Sequence, residues 1–194
     1  MTRATRTLAA GLILGWSLGM AAPASAQHAR VITLMVLVDD HASVRAGILE
    51  QAKADATRVF QDIDVHIVWL VDSDARLEDT AVLTSAVVVH ILTPEMTARR
   101  NAPGGVLGLV ASGTRLAAVF YSRIEGLSPR NDSDTSSLLG HVLAHEIGHL
   151  LLPANAHSRS GIMQAVLTTK LVSGPGLFFT ADQAQLIRTR LAGF

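Results

Sequence analysis

Residues 137–152 read as a helix with almost no polar side, yet His145, Glu146 and His149 sit in its middle. Leu138, Leu139, Val142, Leu143, Ile147, Leu150 and Leu151 wrap nearly the whole circumference at helical spacing, so this helix has to be buried. Titratable groups on a buried helix need partners, because an unpaired polar atom in apolar surroundings is costly. Two histidines at i and i+4 stand one turn apart on one face. Their ring nitrogens can therefore converge on a single ion, with the intervening glutamate beside an open coordination position. With 8 His and 5 Glu in 194 residues, the same pattern arises by chance in about one such chain in a hundred. Structural histidines bonded to backbone or carboxylates are the plainer alternative, and the scarcity of other polar groups on the helix weighs against it.

The chain has no cysteine, which excludes disulfides, thiolate nucleophiles, Cys-ligated zinc and iron–sulfur clusters together. Any metal must be held by His, Asp or Glu. A site of this kind needs a third protein ligand, and no glutamate follows Glu146, so a glutamate on a later helix cannot supply it. The remaining downstream donors are His157, Asp182 and the weakly coordinating amide of Asn155. Asp182 falls in the first turn of a final helix, where favourable interaction with the helix dipole already explains it. His157, on the loop after the helix breaker Pro153, is the strong candidate.

His145-Glu146-x-x-His149, the nearby His157-Ser158 and Gly161-Ile162-Met163 together resemble the metzincin zinc metallopeptidases, most nearly the matrixin-like and small bacterial secreted members. The motifs cover about residues 141–163. The resemblance implies zinc as the cofactor, Glu146 as the general base, His157 as the third ligand and Met163 as the methionine of a tight turn beneath the metal. It also implies a metzincin-like α/β fold: a mixed, mostly parallel sheet of about five strands, an active-site helix and a small C-terminal lobe ending in a helix. The activity implied is hydrolysis of peptide bonds in a peptide or protein substrate, with residues 106–111 as the edge strand that pairs with it. One departure from the family pattern stands out. Leu152 occupies its glycine position and Asn155 the usual third-ligand position, so the turn that presents His157 must be two residues longer. Two other readings remain open: a secreted module that keeps the fold and zinc but only binds a peptide or protein, and a plain α/β domain without metal.

Sixteen basic and sixteen acidic side chains cancel, which argues against nucleic acid or an anionic membrane as partner. Residues 1–26 have the form of a signal peptide: Arg3 and Arg6, an apolar stretch of about 15 residues, then Ala24-Ser25-Ala26. A membrane span wants about 20 apolar residues, so cleavage is expected, leaving residues 27–194 as one secreted or periplasmic domain, monomeric and free of the membrane. Its upper lobe is expected over about 27–152 and its lower lobe over about 153–194.

Apolar runs at 31–38, 65–71, 86–92, 106–111 and 116–121 read as strands, and 43–60 as an amphipathic helix on the sheet. The polar run 131–137 offers Asp132 to Ser136 as caps for the helix from about residue 137, and Thr180-Ala181-Asp182-Gln183 is a capping box opening the last one. His141 is expected to line the cleft or support a ligand. His41, His66 and His90 read as isolated structural or surface histidines, and Tyr121 as a packing residue.

Overall fold

Val, Leu and Ile crowd residues 31–38, and that run is a central strand in a computed structural model describing residues 31–70, 85–111, 113–128, 131–172 and 176–193. The leader-like residues 1–26 and the polar stretch 72–79 lie outside the described residues. The strands are β1 (Ile32–Asp40), β2 (Val65–Leu70), β3 (Val87–Leu92), β4 (Gly108–Val110) and β5 (Leu116–Phe120), in spatial order β2-β1-β3-β5-β4. All neighbours run parallel except β4, which pairs antiparallel with β5 at one edge. The α/β architecture with a mostly parallel five-stranded sheet is thus as expected.

Successive side chains alternate between the two faces of the sheet. On one face Leu34, Val36, Val87, Val89 and Ile91 are buried against helix α1 (Ala46–Gln61) and a long helix spanning Asp132–Leu151. On the other, Leu92, Ala118 and Phe120 form a smaller cluster with Met96 and Leu109. Two short helices have no counterpart in the sequence reading: α2 (Pro94–Arg99), between β3 and β4, and α3 (Tyr121–Leu127), directly after β5. Thr93 caps α2 by accepting from the Met96 N–H at 3.2 Å, and Pro94 opens it, a pairing legible in Thr-Pro once sought. For α3 no side chain caps the start, which is why the run 116–121 looks like a strand to its last residue.

From α3, Arg123 reaches back to donate to the carbonyls of Pro103 and Val106, both at 2.6 Å, and of Ala102 at 3.0 Å. Its guanidinium also lies over the Phe120 ring, 4.6 Å from the centroid. One side chain thereby fixes the turn that delivers the edge strand β4.

The long helix, α4 (Asp132–Leu151), begins five residues earlier than the sequence suggests, because Asn131 and none of the residues 132–136 is the cap. The Asn131 side chain accepts from the Asp134 N–H at 2.7 Å, and Asp132 and Asp134 sit in the first turn where the dipole favours them. A polar first turn is solvent-facing helix, so the polar run does not mark the outside of the element. At the other end Leu152 is extended and Pro153 blocks continuation, as expected. Between these ends the helix is buried on almost every side, from Thr135 to Leu151. The last elements are the single turn α5 (Thr169–Val172), also absent from the sequence reading, and α6 (Ala181–Ala192), opened by the Thr180/Gln183 capping box. Among the described residues no helix is long and apolar enough to cross a membrane.

If the Asn131 cap sets where α4 starts, Asn131→Ala should cost about 1 kcal/mol, lowering the thermal midpoint by about 2–4 °C, while Asn131→Asp stays close to wild type. Thermal unfolding by circular dichroism checks this, and an unchanged midpoint in the alanine variant would contradict it.

Candidate metal centre

The buried helix α4 carries His145 and His149 on one face, and the loop beyond it swings His157 back to meet them. His149 Nε2 lies 3.0 Å from His145 Nε2 and 3.0 Å from His157 Nε2, so three ring nitrogens face one point. A tetrahedral ion with imidazole nitrogens about 2.0–2.1 Å away separates its ligands by about 3.3–3.4 Å. The donor set therefore fits zinc in spacing and in chemistry. His145 Nδ1–H donates to the Ile162 carbonyl at 2.8 Å, which leaves its Nε2 lone pair facing the cluster. Burial pushes the His145 pKa down, and it holds that of His149 down to about 4, with His145 and His157 adding to the effect. Neutral imidazoles are what a metal requires.

The longer turn closes by local means. Asn155, exposed, adopts φ 62°, the left-handed region asparagine tolerates, and absorbs the two additional residues as a turn position away from the three nitrogens. Gln183, from the capping box of α6, donates to the Ala156 carbonyl at 3.3 Å. The Ser158 N–H donates to the Met163 carbonyl at 2.8 Å, and Ser158 bridges to Gln164. The turn around Met163 thus anchors two histidines at once, His145 through Ile162 and His157 through Ser158. Met163 itself is fully buried under α4. Only glycine at position 148 permits this, since a Cβ there would lie 2.7 Å from the Met163 sulfur and 2.9 Å from the Phe179 ring.

Glu146 lies in the same cleft as the three histidines, its carboxyl turned toward β4. It is only 5% exposed, and burial pushes its pKa up to about 8. A Cβ on Gly108 would lie 2.6 Å from the Glu146 carboxyl group, so the edge strand passes close enough that any larger residue there would displace the carboxyl. The sequence reading does not single out Gly108. A glycine inside a strand pattern signals close backbone approach, but not to what. The cleft between β4 and α4 has a volume of about 210 Å³ and is lined by Gly105–Val110, His145, Glu146, His149 and His157. The edge strand itself is shorter than the expected 106–111, covering Gly108–Val110; the Val106 carbonyl is taken by Arg123, while that of Leu107 still accepts from the Phe120 N–H of β5 at 2.8 Å.

Other expectations resolve as follows. His141 does not line the cleft: it is buried, and its Nδ1–H donates to the Ser137 carbonyl one turn earlier at 2.7 Å. Asp182 is exposed in the first turn of α6, away from the cluster. Tyr121 packs in the core, its pKa pushed up to about 12 by burial and by Glu125. His66 is exposed on β2. His41 and His90, expected to be isolated, instead meet each other and Asp39, because β1 and β3 are neighbours in the sheet.

No protein-family model and no curated protein matches the chain. Among solved structures, its fold is similar to that of a zinc-dependent peptidase from Methanocorpusculum labreanum, with 13% identity and a TM-score of 0.55 over 79% of this chain and 99% of that one. It is similar also to that of archaemetzincin from Methanopyrus kandleri, with 14% identity and a TM-score of 0.53 over 84% of this chain and 98% of that one. At such identities the likeness is one of backbone architecture.

Proposed function

We propose that the protein is a secreted zinc-dependent metalloendopeptidase of matrixin-like, small bacterial type. The observation that carries this reading is the convergence of three histidine nitrogens beside a buried glutamate beneath the edge strand β4 of the described sheet. The printed name of one structural neighbour, a zinc-dependent peptidase, supports the metallopeptidase part of this reading. Secretion rests on the signal-like pattern of residues 1–26.

His145, His149 and His157 would hold the zinc, and bound zinc supplies an activated water and charge stabilisation for the scissile carbonyl. The chain's own residues do the rest. Glu146, in the same cleft as the three histidines, is placed to accept a proton from the attacking water and to deliver it to the leaving amine. β4, an edge strand among the described residues, offers that edge to an extended peptide, which would bind as a further strand. Gly108, lacking a side chain, lets that edge approach Glu146.

The experiment that tests the proposal is peptide-library hydrolysis by the zinc-loaded protein beside Glu146→Gln. Cleavage by the wild type, reduced about 10²–10⁴-fold in a variant that keeps its zinc, is expected. A zinc-replete wild type that cleaves nothing would overturn the enzyme in favour of a peptide-binding module. Gly108→Ala should lower hydrolysis roughly tenfold to a hundredfold with zinc content unchanged, because the new methyl group displaces the Glu146 carboxyl. Full activity in that variant would show that the close approach of β4 is not needed.

The metal-free protein should also carry a pH signature. Between its ordinary value of 4.5 and about 8, Glu146 keeps its proton when folded and releases it when unfolded, so stability falls as pH rises through that window. His149, lowered to about 4 from 6.5, acts in the opposite sense, adding stability as pH rises from about 4 to 6.5. Above 6.5 only the Glu146 slope remains, at most about 1.4 kcal/mol per pH unit. Urea midpoints of the chelator-treated protein should therefore fall from pH 6.5 to 8, and Glu146→Gln should flatten the trend; a flat wild-type profile would count against the buried carboxyl.

A further inference from the structure

We propose that Asp39, His41 and His90 form a second site for a divalent transition metal, on the face of the sheet opposite helix α4. Asp39 and His90 are register partners on the parallel strands β1 and β3, so their side chains leave the same face side by side. Val89 and Ile91, flanking His90, point into the core shared with α4, which places His90 on the other face and separates this cluster from His145, His149 and His157 by the thickness of the sheet. His41 follows β1 directly. Its backbone N–H and that of Ala42 donate to the Ile91 carbonyl at 3.0 and 3.2 Å, which pins the chain as it leaves the strand. The His41 ring consequently stacks on His90, with centroids 5.5 Å apart and planes inclined by 13°.

Asp39 Oδ2 lies 3.0 Å from His41 Nε2 and 3.0 Å from His90 Nδ1, and the two nitrogens are 3.3 Å apart. These spacings approach the ligand separations of a tetrahedral ion bound by two imidazoles and one carboxylate. One carboxylate oxygen and two ring nitrogens thus converge within 3.3 Å of one another, a donor set that one shared ion would satisfy together. Two nitrogens and one oxygen select zinc, copper(II) or nickel(II) over magnesium or calcium. The side chains are 30–37% exposed, which leaves room for water at a fourth position. Bound there, the ion would clamp the C-terminal ends of β1 and β3 together, a structural role independent of hydrolysis.

Elemental analysis after dialysis against micromolar zinc tests this in the full chain. Wild type should hold two zinc ions per chain and His41→Ala one, with hydrolytic activity unchanged because His41 lies outside the cleft. In His145→Ala/His149→Ala, where only the second site remains, one zinc per chain and an upward shift of the thermal midpoint with added zinc are expected, both lost on adding His90→Ala. Should that double variant fail to fold, the comparison of wild type with His41→Ala decides alone. A wild type whose zinc content is unaffected by His41→Ala would overturn the second site, whereas loss of zinc only from the double variant would bear on the hydrolytic site instead.

Discussion

Helix α4 is buried on nearly all sides, and the need to satisfy every polar group it takes into the interior organises much of the molecule around it. His141 meets this need within its own helix, through Ser137. His145 meets it at one nitrogen only, through the carbonyl of Ile162, and the chain after Pro153 must fold back under the helix to supply that carbonyl. The same return brings Met163 against Gly148 and draws Ser158, and with it His157, into place. The second nitrogens of three histidines are then left facing one another, which a metal resolves. Burial of the helix and assembly of the site are two aspects of one constraint.

Glu146 experiences the same interior from another direction. Its carboxyl is buried beneath an edge strand whose backbone it nearly touches, and loss of solvation raises its pKa toward neutrality. The strand is held there by a device remote from the cleft, Arg123 gripping three carbonyls of the preceding turn while stacking on Phe120. A group suited to moving protons and an edge suited to pairing with a peptide are therefore positioned by separate parts of the fold, one by helix packing and the other by a cationic clamp.

Much of this was readable from local pattern. The strands 31–38, 65–71 and 86–92 announce themselves by β-branched apolar runs, α1 and α4 by helical periodicity, the end of α4 by Pro153, and α6 by its capping box. The misreadings share a cause. Polar residues in the first turn of α4 look like loop and hide its true start, and Tyr121 continues an apolar run without a capping signal and so hides α3. Residue 106 continues the apolar run of β4, but its carbonyl is taken by the distant Arg123, a contact no local pattern shows.

By itself the sequence determined that one helix is buried, that His145, Glu146 and His149 lie within it, and that no cysteine or later glutamate can complete their site, because periodicity, capping chemistry and composition are local properties. Tertiary structure alone decided that His157 and not Asn155 joins the two histidines, since this depends on how a left-handed turn and Gln183 close the loop. It alone placed Gly108 over Glu146 and joined Asp39, His41 and His90. Those encounters depend on which strands become neighbours, and strand order is set by how the connections pack across the sheet, which no local stretch of the chain encodes.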